Sequence, residues 1–271
     1  PTRSVSVPAN SETVVSVTVR WGLGPDSFWW PNKPFNESYQ AVLHTLGLAL
    51  SSADSSGDLH RFEQRFGFAE WRDDLIEGKW TINSVPINFI SDATPESGMS
   101  HYDCYATSAA FATLAGAKET WRRYMRLGVS SNRIHQSTPT EVMLAAADEV
   151  GFVLRPETGL RGGGAHDPDQ QFSDELSTQA VQELAHACRG HPSVGSYSVL
   201  NECSTAWVPK LIDAIVEVDD ATPLVWENSG GCKEMVLQGS AGKGHAHCMS
   251  HYDMPTPDPT QITGEGECAW C

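Results

Sequence analysis

The stretch "SYSVLNE", residues 196–202, is an apolar run that ends in an amide and a carboxylate, Asn201 and Glu202. Two further acidic residues, Glu265 and Glu267, end another strand-like segment, "TQITGEGE". Carboxylates at the ends of two strands can face each other across a pocket. At a separation of about 5 to 5.5 Å, one can attack a sugar carbon while the other protonates the leaving oxygen. The acid needs a raised pKa, which burial and the opposing negative charge supply.

Other polar and aromatic residues at predicted strand ends could assist this chemistry. Asn201 could bind a sugar hydroxyl, and the phenol of Tyr252 could hold the attacking carboxylate. Trp226 could form either a pocket wall or part of the core. Glu202 could instead be a carboxylate at the N-terminus of the next helix, where the helix dipole favours negative charge. We interpret Glu157 as an ion-pair partner at a strand end.

From about Trp80, strand-like and helix-like segments alternate, and this alternation predicts a parallel sheet with helices outside it. The strand candidates are "VPINFI", "SNRIHQ", "FVLRPETG", "PSVGSYSVLNE", "TPLVWENSG", "HAHCMSHYDM" and "TQITGEGE". The predicted helices are "TSAAFATLAGAKETWRRYMRLG", "STPTEVMLAAADEVG", "DELSTQAVQELAHACRG" and "TAWVPKLIDAIVEVD". Gly128 and Gly151 are the expected C-terminal caps of the first two, and Ser/Thr-Pro-Thr-Glu starts the second.

Two folds have this alternation, an open doubly wound sheet and a (β/α)8 TIM barrel. No glycine-rich phosphate loop follows an early strand, whereas polar residues collect at the carboxyl ends of nearly every strand, which is the barrel pattern. The preceding segments, which include "RSVSVPAN" and "ETVVSVTVRWGLG", alternate apolar and polar residues and predict the strands of a β-sandwich. We therefore predict a β-sandwich over residues 1–74 and a TIM barrel over residues 75–271, incomplete at about seven strands, with strand eight absent.

Composition excludes several classes of function. The net charge of −16 disfavours nucleic acids and anionic membranes as partners, and 40% hydrophobic residues in 271 suffice for a sizeable core. No apolar run approaches the roughly 18 to 20 residues of a membrane span. The chain starts at Pro1 and stops at Cys271, directly after a strand-like segment, so we expect part of a longer chain. The compartment stays open, with secretion or the periplasm among the alternatives, and so does the oligomeric state.

A second group of side chains has the chemistry of metal ligands. His245, His247, Cys248 and His251 lie close together, and "CAWC" at residues 268–271 has the CxxC spacing. A single CxxC without a second pair is weak evidence for a metal site. The favoured interpretation therefore assigns no metal ligands and no cofactor. A metal-dependent hydrolase that uses His245, His247 and His251 is an alternative.

Several stretches resemble glycoside hydrolase family 2, the group that contains β-galactosidases, β-glucuronidases and β-mannosidases. "HPSVGSYSVLNE" is similar to the family's "RHPSI…WSLGNE", and "NRIHQSTPTEVMLAAADEVGFVLRPETG" is similar to "R…H…P…F…DLCDELGILV…E". "WWPNKPFNESYQAVLHTL" and "FGFAEW" look like the end of the family's immunoglobulin-like sandwich, and "TINSVPINFI" resembles the lead-in to barrel strand one. The resemblance covers nearly the whole chain.

The resemblance implies a retaining, exo-acting β-glycosidase whose partner is a glycoside. Glu202 is then the acid/base. Glu267 is the favoured nucleophile because "GECAW" fits a Gly-Glu-x-x-Trp pattern, and Glu265 is the alternative, since the two residues point to the same side of a strand. "SHYDM" resembles the family's Asn-x-Tyr stretch. The expected substrate-binding residues are Asn201, His135, Tyr252, Trp226 and Trp270.

The sequence also departs from the family pattern. "HQSTP" stands where the family has His-Tyr-Pro, and the family's sugar-binding jelly roll and eighth strand have no counterpart. A non-catalytic, carbohydrate-binding remnant of such an enzyme is therefore a further alternative.

Overall fold

The structure is a computed structural model that describes residues 2–22, 24–52, 57–74, 79–94, 109–160, 174–201, 206–228 and 236–250. The strands are β1 (His44–Ser51), β2 (Asp58–Phe66), β3 (Trp71–Asp74), β4 (Lys79–Ile82), β5 (Val85–Ile87), β6 (Ser91–Thr94), β7 (Ser131–Ile134), β8 (Val153–Pro156), β9 (Tyr197–Asn201), β10 (Leu224–Asn228), β11 (Val236–Gln238) and β12 (His245–Ser250). The helices are α1 (Leu114–Arg126), α2 (Glu141–Val150), α3 (Asp174–Cys188) and α4 (Val208–Val216). None of these helices has the length and apolar character needed to cross a membrane.

The predicted parallel sheet is present. β6, β7 and β8 pair in parallel, as do β9, β10 and β12, and two parallel bridges, Leu154 to Val194 and Glu157 to Ser198, join the two groups. β11 lies antiparallel against β12. Each parallel strand therefore lies beside its neighbour in the chain. A doubly wound sheet reverses its order at a switch point, and a barrel does not.

Local signals determine the ends of the connecting helices. The Thr113 side chain accepts a hydrogen bond from the Gly116 amide at 3.1 Å and caps α1. Thr140 caps α2 in the same way, and Gly151 ends that helix in the left-handed conformation with φ 74°. Because L-residues avoid this conformation, glycine is the residue that suits this cap. The predicted ends of α2 are confirmed.

The main core lies between the helices and the sheet. Trp121 of α1 stacks on Phe152 with ring centroids 4.8 Å apart, and both rings are completely buried. Trp29 packs in a core as well, because Trp29, Trp71 and Val153 form part of a second buried cluster. The indole nitrogens of the two tryptophans donate to the backbone oxygens of Asp148 and Pro192, each at 2.9 Å. These contacts attach the N-terminal region to the amino-terminal edge of the parallel sheet.

The strand predictions for "RSVSVPAN" and "ETVVSVTVRWGLG" are wrong over the described residues, and so is the position predicted for "VPINFI" in the parallel sheet. Within residues 2–22 the structure has no strand, and alternating valines such as Val14 and Val19 are 93% and 63% exposed. Alternation favours one apolar face, but a strand also requires a partner edge for its backbone groups. "VPINFI" is not the first parallel strand: β5 pairs antiparallel with β4 across Asn83 and Ser84, which both have positive φ, and β6 opens the parallel sheet. A two-residue turn of that type closes a hairpin.

Candidate active site

Asn201 is the last residue of β9, at the carboxyl edge of the parallel sheet. Along this strand Ser198 pairs with Val225, and Asn201 pairs with Glu227, so β9 has one extra residue between the two pairs. Side chains alternate between faces along a regular strand, so Asn201, three residues after Ser198, would point to the opposite face if β9 had no bulge. The bulge therefore brings Asn201 to the face that carries Ser198.

Glu157 occupies the same face, immediately after β8, and it is completely buried. Its Oε2 accepts hydrogen bonds from Nε and Nη2 of Arg133 at 3.0 and 2.9 Å, and from the hydroxyl of Ser198. The backbone amide of Gln136 donates to Oε1 at 2.8 Å. A buried charge is tolerated when it is paired and hydrogen-bonded, and Arg133 is completely buried as well. The ion-pair interpretation of Glu157 is confirmed.

Arg133 also connects Glu157 to Asn201. Its Nη2 donates to Asn201 Oδ1 at 2.6 Å, a contact between two side chains that are 0% and 1% exposed. Because guanidinium groups only donate, the amide must present its oxygen to Arg133. The amide nitrogen of Asn201 is thereby directed away from Arg133. The ion pair thus orients the side chain that precedes Glu202 in the chain.

His135 follows β7 and lies beside this cluster. It is 5% exposed, and its Nε2 accepts from Nε2 of Gln136 at 2.8 Å. Gln136 has φ 49°, which is uncommon outside glycine, and this backbone conformation accompanies the bond from its amide to Glu157. The structure therefore brings two predicted substrate-binding residues, His135 and Asn201, into one hydrogen-bonded group.

Trp226 lies in a different environment. It is completely buried among the apolar side chains of the main core. Its neighbour Val225 pairs with Ser198, on the Glu157 face, so alternation directs Trp226 toward the helices. Of the two interpretations that the sequence left open, this position favours core packing. The remaining predicted site residues lie outside the described parts of the chain: Glu202, Tyr252, Glu265, Glu267 and Trp270.

Arg133 and Ser198 were not among the predicted site residues. A signal for Arg133 is present, because an arginine in the strand "SNRI" requires a buried acceptor, and Glu157 follows the neighbouring strand. Ser198 gave no such signal, since a serine in a strand satisfies its hydroxyl in many ways.

A second polar cluster lies at the opposite, amino-terminal edge of the sheet. Asp73 Oδ2 accepts from Nε2 of His245 at 2.8 Å and from Nε2 of His247 at 2.9 Å. Burial by itself would raise the pKa of Asp73, but the two histidine hydrogen bonds outweigh it and hold that pKa at about 2. The hydrogen bond with Asp73 raises the pKa of His245 in turn. His245 begins β12, whereas Asn201 ends β9, so the parallel strand direction separates this cluster from Glu157.

The geometry defines an α/β protein with a buried polar group at the carboxyl ends of sequential parallel strands. No protein-family model matches the sequence, and no curated protein matches it significantly. Solved structures do match, and 228 chains are similar to this one.

The similar structures include glycoside hydrolases. A β-glucuronidase from Ruminococcus gnavus in complex with uronic deoxynojirimycin has a TM-score of 0.62 at 16% identity, with 83% of this chain and 36% of that chain covered. A glycosyl hydrolase family 2 member from Bacteroides cellulosilyticus has a TM-score of 0.62 at 14% identity, covering 83% and 29%. The apo β-glucuronidase 3 of Bacteroides uniformis has a TM-score of 0.58 at 19% identity, covering 76% and 25%.

In fold, then, the chain resembles glycoside hydrolase family 2 enzymes, as the sequence motifs indicated. It spans about a quarter to a third of the length of these structures.

Proposed function

We propose that this chain belongs to a retaining, exo-acting β-glycosidase that hydrolyses terminal β-linked sugars through two carboxylates. Glu202 is the acid/base, and Glu267 is the nucleophile, with Glu265 as the alternative. Asn201, His135, Tyr252 and Trp270 bind the sugar, and Trp226 is left in the core. No cofactor takes part.

The proposal includes the finer features of the fold. Residues 75–271 form most of a TIM barrel, and residues 1–74 form part of an immunoglobulin-like β-sandwich. The sequential strand order supports the barrel. The β1–β2 hairpin supports the sandwich, because Leu48 and Phe62 are paired in register and are 55% and 45% exposed, as expected of a sheet face that awaits a second sheet.

The observation that carries the proposal is the hydrogen bond from Arg133 to Asn201 Oδ1 at 2.6 Å. This bond fixes the amide so that its NH2 group can donate to the sugar's 2-hydroxyl, a contact that strengthens in an oxocarbenium-like transition state. Glu157 accepts bonds from Arg133, Ser198 and Gln136, so it acts as a support rather than as an acid or a nucleophile. One of the similar structures, Bacteroides uniformis β-glucuronidase 2, is covalently bound to a cyclophellitol-derived aziridine, which agrees with a nucleophilic mechanism.

The test compares Glu202→Gln, Glu265→Gln and Glu267→Gln, with exposed Glu119→Gln as the matched control. A panel of nitrophenyl and alkyl β-glycosides, with galactoside, glucuronide and mannoside members, reports kcat/KM. We expect Glu202→Gln to lose about 10²–10⁴-fold on alkyl leaving groups and far less on nitrophenyl groups, because only a basic leaving oxygen needs the acid. Glu267→Gln should lose activity on both.

A 2-deoxy-2-fluoro glycoside, followed by peptide mass spectrometry, identifies the esterified glutamate. An ester on Glu265 would transfer the nucleophile role to that residue. Full activity of Glu202→Gln on alkyl glycosides would refute the acid/base assignment, and an inverted first product would refute retention. Sugar binding without turnover by the wild-type chain would favour the non-catalytic, carbohydrate-binding alternative.

A further inference from the structure

We propose that Asp73, His245 and His247 bind a divalent transition-metal ion, Zn²⁺ by its ligand chemistry, and that this ion joins β3 to β12. Among the described residues, these three side chains bring their possible ligand atoms together, all within 4.8 Å of one another. Both imidazoles present Nε2 to the same oxygen, Asp73 Oδ2, at 2.8 and 2.9 Å.

This ligand set suits zinc. Zinc takes imidazole nitrogen and carboxylate oxygen at about 2.0–2.2 Å in a tetrahedral arrangement, which places neighbouring ligand atoms about 3.4 Å apart. The separations from Asp73 to each histidine are a few tenths of an ångström shorter, so a small outward movement of the carboxylate accommodates the ion. Each neutral imidazole then keeps its single proton on Nδ1 and offers the Nε2 lone pair to the metal.

The site has both a buried side and an access route. His247 is 1% exposed and has its ring centroid 6.2 Å from that of Trp80. On the other side, Asp73 and His245 line a cleft of about 420 Å³ together with Lys243 and Asp220. An ion can enter through this cleft, and a water molecule from it can fill the fourth coordination position.

The position in the fold indicates what the ion does. Asp73 lies on an antiparallel strand of the N-terminal region, whereas the histidines lie 172 and 174 residues later on the parallel sheet. The cluster is at the amino-terminal edge of the sheet, opposite Glu157 and Asn201. The ion therefore acts as a cross-link between two parts of the fold and takes no part in the proposed glycoside chemistry. This assignment differs from the metal-dependent hydrolase that the sequence left as an alternative.

The test is calorimetric titration of the chelator-treated chain with ZnSO₄, together with thermal unfolding with and without the metal. We expect one equivalent to bind and the unfolding midpoint to rise by several degrees, because an ion that binds only the folded state stabilises it. Asp73→Asn and His247→Gln should each weaken binding at least about 10-fold. His186→Gln, which removes an exposed histidine from α3, is the matched control and should bind like the wild type.

Cobalt substitution keeps the proposal testable if a variant does not fold. Co²⁺ bound to the wild-type chain should give d–d absorption bands without a thiolate charge-transfer band, since the ligands are nitrogen and oxygen. Three results would overturn the proposal: no stoichiometric binding to the wild type, unchanged binding in folded Asp73→Asn, or a thiolate band. The Asp73–histidine contacts would then be hydrogen bonds only.

Discussion

Replacing Glu157 with Gln tests the ion pair that orients Asn201. The change keeps the side-chain volume but removes the charge that compensates Arg133, and both side chains are completely buried. Breaking a buried ion pair from one side costs about 3–5 kcal/mol, because an uncompensated charge remains. Since whole domains are stable by about 5–15 kcal/mol, Glu157→Gln should lose a large part of the free energy of unfolding.

The assay is urea unfolding followed by tryptophan fluorescence, which reports on buried rings such as Trp29 and Trp121. The exposed pair between Arg126 and Glu37 provides the control, since Glu37→Gln removes a carboxylate that is 58% exposed and should leave the midpoint nearly unchanged.

A double-mutant cycle gives the sharper result. The double variant Arg133→Met with Glu157→Met removes both charges. Its loss in free energy of unfolding should therefore be smaller than the sum of the two single-variant losses by about 2 kcal/mol or more. A loss below about 1 kcal/mol for Glu157→Gln would show that the ion pair is not desolvated, and strict additivity in the cycle would show that its two residues are not coupled. Either result would refute the proposed orientation of Asn201 by this pair.

Three other predictions concern the supporting structure. Gly151→Ala should lower the free energy of unfolding by at least about 1 kcal/mol more than Gly128→Ala does, as measured by urea unfolding. Both glycines have positive φ, but of the two only Gly151 would bring a Cβ against another residue, the Asn32 amide at 2.6 Å. Equal losses for the two variants would contradict this. Burial by itself would lower the pKa of His191, but contacts with Asp148 at 2.7 Å and with Glu141 outweigh it and raise that pKa above 6.5. The wild type should therefore exceed His191→Gln in free energy of unfolding by the largest amount below pH 6.5, and this difference should shrink as the pH rises through the folded-state pKa of His191. A difference that grows with pH would refute the sign. Burial raises the pKa of Cys188, so peptide mapping should find it alkylated by iodoacetamide only after unfolding, and rapid labelling of the native chain would contradict its burial.

Much of the fold could be predicted because its signals are local. Thr140 and Gly151 determine the ends of α2 through their own side-chain and backbone preferences, with no need for distant contacts. The buried strands β8 to β10 were likewise predicted from short apolar runs between helices. The N-terminal valines such as Val14 show the limit of this reasoning, since a pattern specifies a face and not a partner strand.

The candidate site was predicted less completely, for reasons of register and distance. The position of Asn201 at a strand end follows from the sequence, but its face depends on one extra residue in β9, which only the pairing with β10 shows. The contact between Asp73 and His245 joins residues 172 positions apart, and no spacing rule reaches that far. The roles of Glu202, Glu265 and Glu267 stay predictions.

The sequential order of the parallel strands has a consequence for folding kinetics. Each of these strands pairs with a strand that is close to it in the chain, so the sheet can grow by adding one strand–helix unit at a time. Such pairings close shorter loops than contacts between distant parts of the chain do, and a shorter loop costs less entropy to close. The hydrogen bonds of Trp29, Trp71 and Asp73 to Asp148 of α2, to Pro192 and to His247 of β12 span 119 to 174 residues, so they depend on parts of the chain that are made later. We therefore expect the N-terminal region to dock last, in a slow phase that quenches or shifts the fluorescence of Trp29 and Trp71 after the sheet has formed.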